Sequence, residues 1–251
     1  RRNLARDAEA VALYESGRVY LAGDTGGEGT LSGHFTGERS APVSEPHHLA
    51  ALAVGPLAPK SWRGGGEATD FFALKGALEA LAGQLGVELE FAAEPEPFLH
   101  PGRSARVLIG GEPAGWIGEV HPLVCREWSI DAATAFEVEL AALVGSATAG
   151  EEEFEDVTAF PAVYQDLAAV VPDDVTAAAV RAAVLAGGGE LLRVARVFDL
   201  YEGEQLEAGH RSLALRLEFR APDRTLTDEE VAGARAAIEA ELKKIGGTLR
   251  A

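Results

Sequence analysis

Five polar residues in the C-terminal third of the chain have types that could bind single-stranded RNA. Asp199 and Tyr201 close one predicted strand. Ser212, Arg216 and Arg220 are evenly spaced on the next. Alternate residues of a strand share a face, so each set should lie on one side of a sheet. A tyrosine ring can stack on a base, carboxylate and hydroxyl oxygens can bind its edge, and guanidinium groups can bind phosphate.

The strand that carries the arginines shows a clear apolar and polar alternation. Its apolar positions are Leu213, Leu215, Leu217 and Phe219. A period of two is typical of a strand with one buried face, which leaves the arginine-bearing face exposed. In the preceding strand the same logic predicts that Phe198 and Leu200 point to the core. Asp199 and Tyr201 should then lie on the opposite, open face.

The elements around these strands predict a small domain of known architecture. Thr227, followed by three acidic residues, has the hydroxyl and early negative charge that begin a helix. The predicted order is strand 160–171, helix 175–186, strand 191–201, strand 211–220, a helix that ends at 245, and strand 248–250. This is the order of a ferredoxin-like split βαβ domain, in which both helices cover one face of an antiparallel sheet.

Composition divides the chain and limits its chemistry. Its 251 residues are 47% hydrophobic, and the small, acidic stretch 145–153 has the character of a linker. We therefore predict an α+β protein with two domains, 1–148 and 149–251. The lone Cys125 and the scattered histidines give no multi-cysteine or zinc pattern, so we expect no metal site. A lone cysteine and the lack of a long apolar run suit a reducing cytoplasm.

The charge of the chain argues against indiscriminate binding of nucleic acid. The net charge is −18, and residues 151–251 hold 11 Lys and Arg against 20 Asp and Glu. Phosphate binding needs clustered positive charge, and the arginines do gather on the second and third strands of the predicted domain. An RNA site is thus compatible with the sequence only as a local basic patch.

Several motifs of this domain strongly resemble one family. They are Phe160-Pro161 to Asp166-Leu167, Phe198-Asp199-Leu200-Tyr201, Ser212 to Leu217, and Arg224 to Val231. Together they resemble the ferredoxin-fold anticodon-binding domain at the C-terminus of bacterial phenylalanyl-tRNA synthetase β subunits. The resemblance implies that Asp199, Tyr201 and Ser212 contact the first anticodon base. Gln165 stands where the family often has a basic residue, so a phosphate contact made there by relatives could be missing.

The upstream half is similar to the catalytic-like module of the same family. The motifs that carry this likeness are Leu13 to Tyr20, Asp70 to Gly76, His100 to Ala105, Gly118 to Pro122, and Phe136 to Leu140. The module is a partial class II synthetase fold that does not catalyse, and the Gly-rich Glu-Arg sequence that would clamp ATP is absent. We therefore expect no catalytic residue and no cofactor in this chain, which alone should be inactive. ATP and magnesium are used by the complete enzyme, an assembly of two α and two β chains that charges tRNA with phenylalanine.

Two other classes of function stay open on the residues alone. Ferredoxin-like sheets also serve as regulatory modules that bind small molecules, and an acidic domain pair could be a scaffold. On those interpretations, Tyr201 packs at a strand end and the arginines only solubilise an exposed sheet. The arginines and the Asp199 and Tyr201 pair on one face favour RNA.

Overall fold

The computed structural model describes residues 8–22, 43–58, 60–62, 64–148, 160–203 and 205–250. Its contacts divide the chain into two compact units, 1–152 and 153–251. The predicted domain boundary lies between residues 148 and 149. Residues 149–159 are outside the described ranges, so the position of the boundary stays a prediction. No helix in the described ranges is both long enough and apolar enough to cross a membrane.

Unit 1 is built on an antiparallel sheet. Its described strands are β1 (Val11–Arg18), β2 (Leu21–Ala22), β3 (Val43–Ser44), β4 (His47–Val54), β5 (Glu90–Ala93), β6 (Leu99–Ile109), β7 (Glu112–Val120) and β8 (Thr134–Glu139). The main sheet has the order β1-β4-β8-β7-β6-β5, and every neighbouring pair is antiparallel. Strands β2 and β3 form a separate pair.

Three helices accompany this sheet, and the longest covers one of its faces. They are α1 (Phe71–Gln84), α2 (Pro122–Glu127) and α3 (Leu140–Gly145). Asp70 begins α1, because its carboxylate accepts the backbone N–H of Ala73 at 2.8 Å. Leu74 and Leu78 of α1 are buried against the sheet in one cluster with Ile117. That burial holds the helix on the sheet.

Unit 2 has the predicted order of elements. They are β9 (Val163–Pro172), α4 (Ala177–Gly188), β10 (Leu192–Tyr201), β11 (His210–Phe219), α5 (Asp228–Lys244) and β12 (Thr248–Arg250). The antiparallel sheet has the order β10-β11-β9-β12. The α+β class with a ferredoxin-like domain is confirmed, and the predicted bounds differ from the observed ones by up to three residues.

The core of unit 2 explains why both helices lie on one face. The apolar positions of β11 predicted from the alternation are all buried, and they pack in one cluster with Val180 and Val184 of α4 and Ile238 and Leu242 of α5. The two helices approach closely at Gly187. A Cβ placed there would lie 2.4 Å from the Cα of Ile238, so only glycine fits. The helices therefore form a tight backing layer, and no described element of unit 2 covers the opposite face of the sheet.

Helix α5 begins at the predicted threonine. The hydroxyl oxygen of Thr227 accepts the N–H of Glu230 at 3.3 Å, and a carboxylate oxygen of Glu230 accepts the N–H of Thr227 at 2.9 Å. Arg224 donates to the same carboxylate at 2.7 Å. These bonds, first that from the Thr227 backbone, lower the pKa of Glu230. Arg224 and Thr227 thus stabilise the first turn of α5.

Candidate nucleic-acid interface

The side of the unit 2 sheet away from α4 and α5 is called the open face here. Its cross-strand rows follow from the register, because directly paired residues point to the same side. In strand order the rows are Tyr201, Ser212, Val170 and Thr248; Asp199, Ala214, Ala168 and Arg250; and Arg196, Arg216 and Asp166. The register therefore brings four of the five predicted residues, all but Arg220, onto the open face.

A bulge in β10 corrects the prediction for Phe198. The register between β10 and β11 shifts between Val197 and Asp199, so Phe198 is the extra residue. It is 52% exposed, and the guanidinium carbon of Arg216 lies 5.3 Å from its ring centroid. The expectation that Phe198 points to the core was wrong, because an inserted residue interrupts the alternation of side chains. Leu200 lies opposite the buried Leu213, on the helix side as predicted, but it is 49% exposed and is not part of the core.

Tyr201 lies on the open face with its ring in contact with two segments. The guanidinium carbon of Arg250 is 5.9 Å from the ring centroid, and Arg250 donates a hydrogen bond to the side-chain oxygen of Gln205 at 2.9 Å. A Cβ built at Gly203 would lie 2.6 Å from the tyrosine hydroxyl. The ring is 38% exposed. Tyr201 is thus positioned by its neighbours while part of its surface stays accessible.

Asp199 and Ser212 flank this ring at different depths. Asp199 is exposed, and one of its carboxylate oxygens accepts the N–H of Leu200 at 2.9 Å. Its other oxygen can still accept a hydrogen bond from a base. Ser212 is directly opposite Tyr201 and only 6% exposed. The serine hydroxyl is therefore less accessible to a base than the Asp199 carboxylate.

Arg216 and Arg220 both have acidic neighbours. Arg216 donates to the two carboxylate oxygens of Asp166 at 2.9 and 3.0 Å. This bidentate pair lowers the pKa of Asp166 and raises that of Arg216, in both cases chiefly through the hydrogen bonds. Arg220 follows the end of β11, and its guanidinium lies 3.5 Å from Glu218. A phosphate would have to compete with a carboxylate for each of these arginines.

Gln165 is on the other side of the sheet. It pairs with the buried Leu217, so its side chain points toward the helices. Its amide oxygen is buried and accepts no hydrogen bond from any described residue. A side chain at this position does not reach the open face, so it could not supply a phosphate contact there.

Three residues of the open face were missed by the sequence analysis. Arg250 escaped because it belongs to the strand at the far edge from Tyr201. Phe198 was missed because of the bulge. Tyr164, which is 63% exposed and lies opposite Glu218, was missed because it lies at the start of β9. An arginine at the end of the last strand was the only signal for Arg250.

Glu119 and His121 of unit 1 lie two residues apart at the end of β7, and both have structural partners. Glu119 is paired with Arg103 at 2.8 Å, and His121 begins α2 by accepting the N–H of Leu123 at 3.1 Å. Cys125 is buried, and burial raises the pKa of its thiol. No group of three or more metal-binding side chains occurs in the described ranges. Gly37-Glu38-Arg39 is a Gly-Glu-Arg sequence without the Gly-rich surroundings of an ATP clamp, and it lies outside the described residues.

Two family descriptions match most of the chain. "Phenylalanyl tRNA synthetase beta chain CLM domain" matches residues 1–140, and "Ferredoxin-fold anticodon binding domain" matches residues 158–250. The chain belongs to the phenylalanyl-tRNA synthetase β-chain family. The match confirms the resemblance to the catalytic-like module and the anticodon-binding domain that end this subunit.

Curated relatives support the same family assignment. The chain is 38% identical to the phenylalanine–tRNA ligase β subunit of Symbiobacterium thermophilum, over 100% of this chain and 27% of that protein. It is 36% identical to the β subunits of Bacillus subtilis and Geobacillus kaustophilus, in each case over 99% of this chain and 29% of the relative. The chain thus spans less than a third of the length of these synthetase β subunits.

Proposed function

We propose that this chain is a noncatalytic part of a phenylalanine–tRNA ligase β subunit and that the open face of unit 2 binds the anticodon stem-loop of tRNA. The observation that carries the proposal is the placement of Asp199, Tyr201 and Ser212 together on that face. Tyr201 offers a stacking surface, and Asp199 and Ser212 offer oxygens for the edge of one base. The two family matches, one named for anticodon binding, support the same conclusion.

The charges of the open face fit a local RNA site in an acidic chain. Arg216 and Arg220 are compensated by Asp166 and Glu218. Arg250 has a neutral hydrogen-bond partner, Gln205, and within the described ranges it makes no ion pair. Its charge is therefore available beside Tyr201. One or two such contacts support orientation more than affinity, since phosphate affinity grows with the number of contacts.

The proposal also assigns roles to unit 1 and to the complete enzyme. Unit 1 supports the catalytic α subunit in an assembly of two α and two β chains located in the cytoplasm. ATP and magnesium act in the complete enzyme. The chain alone has no ATP–pyrophosphate exchange activity, because its sequence lacks the motif that would clamp ATP. Exchange activity in the purified chain, free of host synthetase, would contradict this role.

Aminoacylation by the full-length β subunit, purified with its α subunit, tests the RNA role. Tyr201→Ala should lower kcat/KM for phenylalanine tRNA by about 5- to 140-fold, which corresponds to the 1–3 kcal/mol of one base stacking on a ring. ATP–pyrophosphate exchange, which needs no tRNA, should not change. Leu200→Ala is the matched control, since Leu200 is the neighbouring strand residue and faces the other side of the sheet. Equal kcat/KM values for the wild-type and Tyr201→Ala enzymes would exclude Tyr201 from tRNA binding.

A further inference from the structure

Phe198 has no role in the core, yet it is held in a defined position. It is half exposed on the open face and lies beside the guanidinium of Arg216 at 5.3 Å. A guanidinium over an aromatic face is attracted by the ring quadrupole, and both groups are planar. The bulge of β10 thus presents an aromatic ring and a guanidinium plane next to each other.

Asp166 fixes the orientation of Arg216 and removes its net charge. The two bonds of 2.9 and 3.0 Å hold the guanidinium as a fork against the carboxylate. The pair is neutral as a whole, and the carboxylate would repel an approaching phosphate. This part of the open face is therefore suited to a flat uncharged group rather than to the RNA backbone.

Tyr164 borders the same region. Tyr164 is exposed and lies opposite Glu218 in the strand register, one row beyond Arg216 and Asp166. Tyr164, Asp166 and Arg216 line an open depression of about 410 Å³. This volume lies within the range of about 300–1,000 Å³ that is usual for sites of small ligands. The Tyr164 ring and the Arg216 guanidinium thus border one concave part of the sheet, and the Phe198 ring lies beside Arg216.

We propose that Phe198, Arg216 and Tyr164 form a second base-binding site, which takes the nucleobase adjacent to the one bound at Tyr201. The proposal rests on the proposed RNA function and extends it to a named pair of sites. Phe198 is the bulge residue three positions before Tyr201 in β10, so the two rings start from backbone positions roughly 10 Å apart at about 3.3 Å per residue. Neighbouring bases splayed from a loop can occupy two such platforms in succession.

A fluorescent base analogue separates the two sites. The probe is an RNA hairpin with the anticodon stem-loop sequence of a phenylalanine tRNA and 2-aminopurine at one loop position at a time. The protein is the full-length β subunit with its α subunit. Stacking quenches this analogue, so binding should quench it at two adjacent positions. Phe198→Ala should restore fluorescence at one of them and Tyr201→Ala at the other.

Affinity measurements complete the test. Phe198→Ala should weaken hairpin binding by about 5- to 140-fold. Phe198→Trp, which keeps a ring, should retain binding, and Phe198→Leu, which keeps an apolar side chain without a ring, should not. Leu200→Ala in the same strand is the control, and the melting temperature of each variant shows that the fold is kept. Because Phe198 is exposed, none of its variants should lower that temperature by more than a few degrees.

The outcomes distinguish this proposal from the proposed function. If Tyr201→Ala weakens binding while Phe198→Ala changes neither affinity nor quenching, the second site is wrong and the RNA role stands. If neither substitution changes binding, or the wild-type enzyme does not bind the hairpin, both proposals fail. Loss of binding with Phe198→Trp as large as with Phe198→Ala would show that the ring itself is not what the RNA contacts.

Discussion

The guanidinium of Arg250 lies 5.9 Å from the ring centroid of Tyr201, although the two residues belong to opposite edge strands of the unit 2 sheet. The contact spans the open face because the residues between them are small. Ala168 and Ala214 occupy the row of Arg250, and Ser212 and Val170 occupy the row of Tyr201. A cation and a ring over a floor of small side chains form a site of the kind that binds a base and its phosphate together.

Arg250 should contribute a nonspecific electrostatic contact. Its charge has no acidic partner in the described part of the chain, so a phosphate can bind it without displacing a carboxylate. Arg250→Gln should weaken binding of different RNAs alike and reduce the slope of log affinity against log salt by about one unit. Fluorescence titration of RNA hairpins at several salt concentrations measures this slope.

Lys244→Gln serves as the matched control for Arg250→Gln. Lys244 is also a cation near the C-terminus, but it lies on α5, the helix side of unit 2, and pairs with Glu241 at 2.7 Å. Its substitution should leave the salt slope unchanged. Equal slopes for the wild-type protein and Arg250→Gln would remove Arg250 from the RNA site.

The Asp166 and Arg216 pair predicts a pH dependence of stability. Hydrogen bonds from Arg216 lower the pKa of Asp166 below its ordinary value of 3.8. A carboxyl whose pKa is lowered by folding stabilises the native state above its unfolded pKa, and this contribution is lost as pH falls through the folded value. The pair should therefore stabilise unit 2 fully at neutral pH and lose its effect only below 3.8.

An NMR titration of the Asp166 carboxyl carbon tests this pair directly. In Arg216→Gln the pKa of Asp166 should rise toward its ordinary value, because a neutral amide replaces the charged, bidentate guanidinium donor. The contribution to the free energy of unfolding should be small, since both side chains are more than half exposed. An identical Asp166 titration in the wild-type protein and in Arg216→Gln would mean that the two groups do not pair in solution.

Some of this site could be predicted from the sequence. The alternation from Leu213 to Phe219 is regular and gave the buried face of β11 correctly, and Thr227 marked the start of α5, because caps and periodicity are local signals. The bulge at Phe198 has no such signal, since one extra residue looks like an ordinary strand residue. The Arg250 and Tyr201 contact and the Arg216 and Asp166 pair depend on strand order and register, which tertiary packing decides.

Two glycines of unit 2 should respond to alanine in opposite directions. At Gly187 a Cβ would lie 2.4 and 2.6 Å from backbone atoms of Ile238, so α4 and α5 would have to separate. Gly187→Ala should lower the free energy of unfolding by about 1–3 kcal/mol. At Gly233, in the interior of α5, a Cβ would meet nothing within 4 Å. Gly233→Ala should raise that free energy by roughly 0.5–1 kcal/mol, since alanine favours helix.

Urea unfolding of the two alanine variants and the wild-type chain measures both values. A free energy of unfolding that is raised in Gly187→Ala as well as in Gly233→Ala would show that the close approach of the helices at Gly187 is not present in solution. The open face should also be less well ordered in Gly187→Ala, because α4 and α5 back the sheet that carries it.

Photocrosslinking of tRNA to the complete enzyme tests the central claim most directly. Phenylalanine tRNA with 4-thiouridine in the anticodon loop is irradiated in complex with the full-length β subunit and its α subunit, and the crosslinked peptides are identified by mass spectrometry. The account predicts crosslinks to the open face, in peptides that contain Phe198 to Tyr201 or Ser212 to Arg216. Crosslinks confined to α4 and α5, to unit 1 or to the α subunit would contradict it.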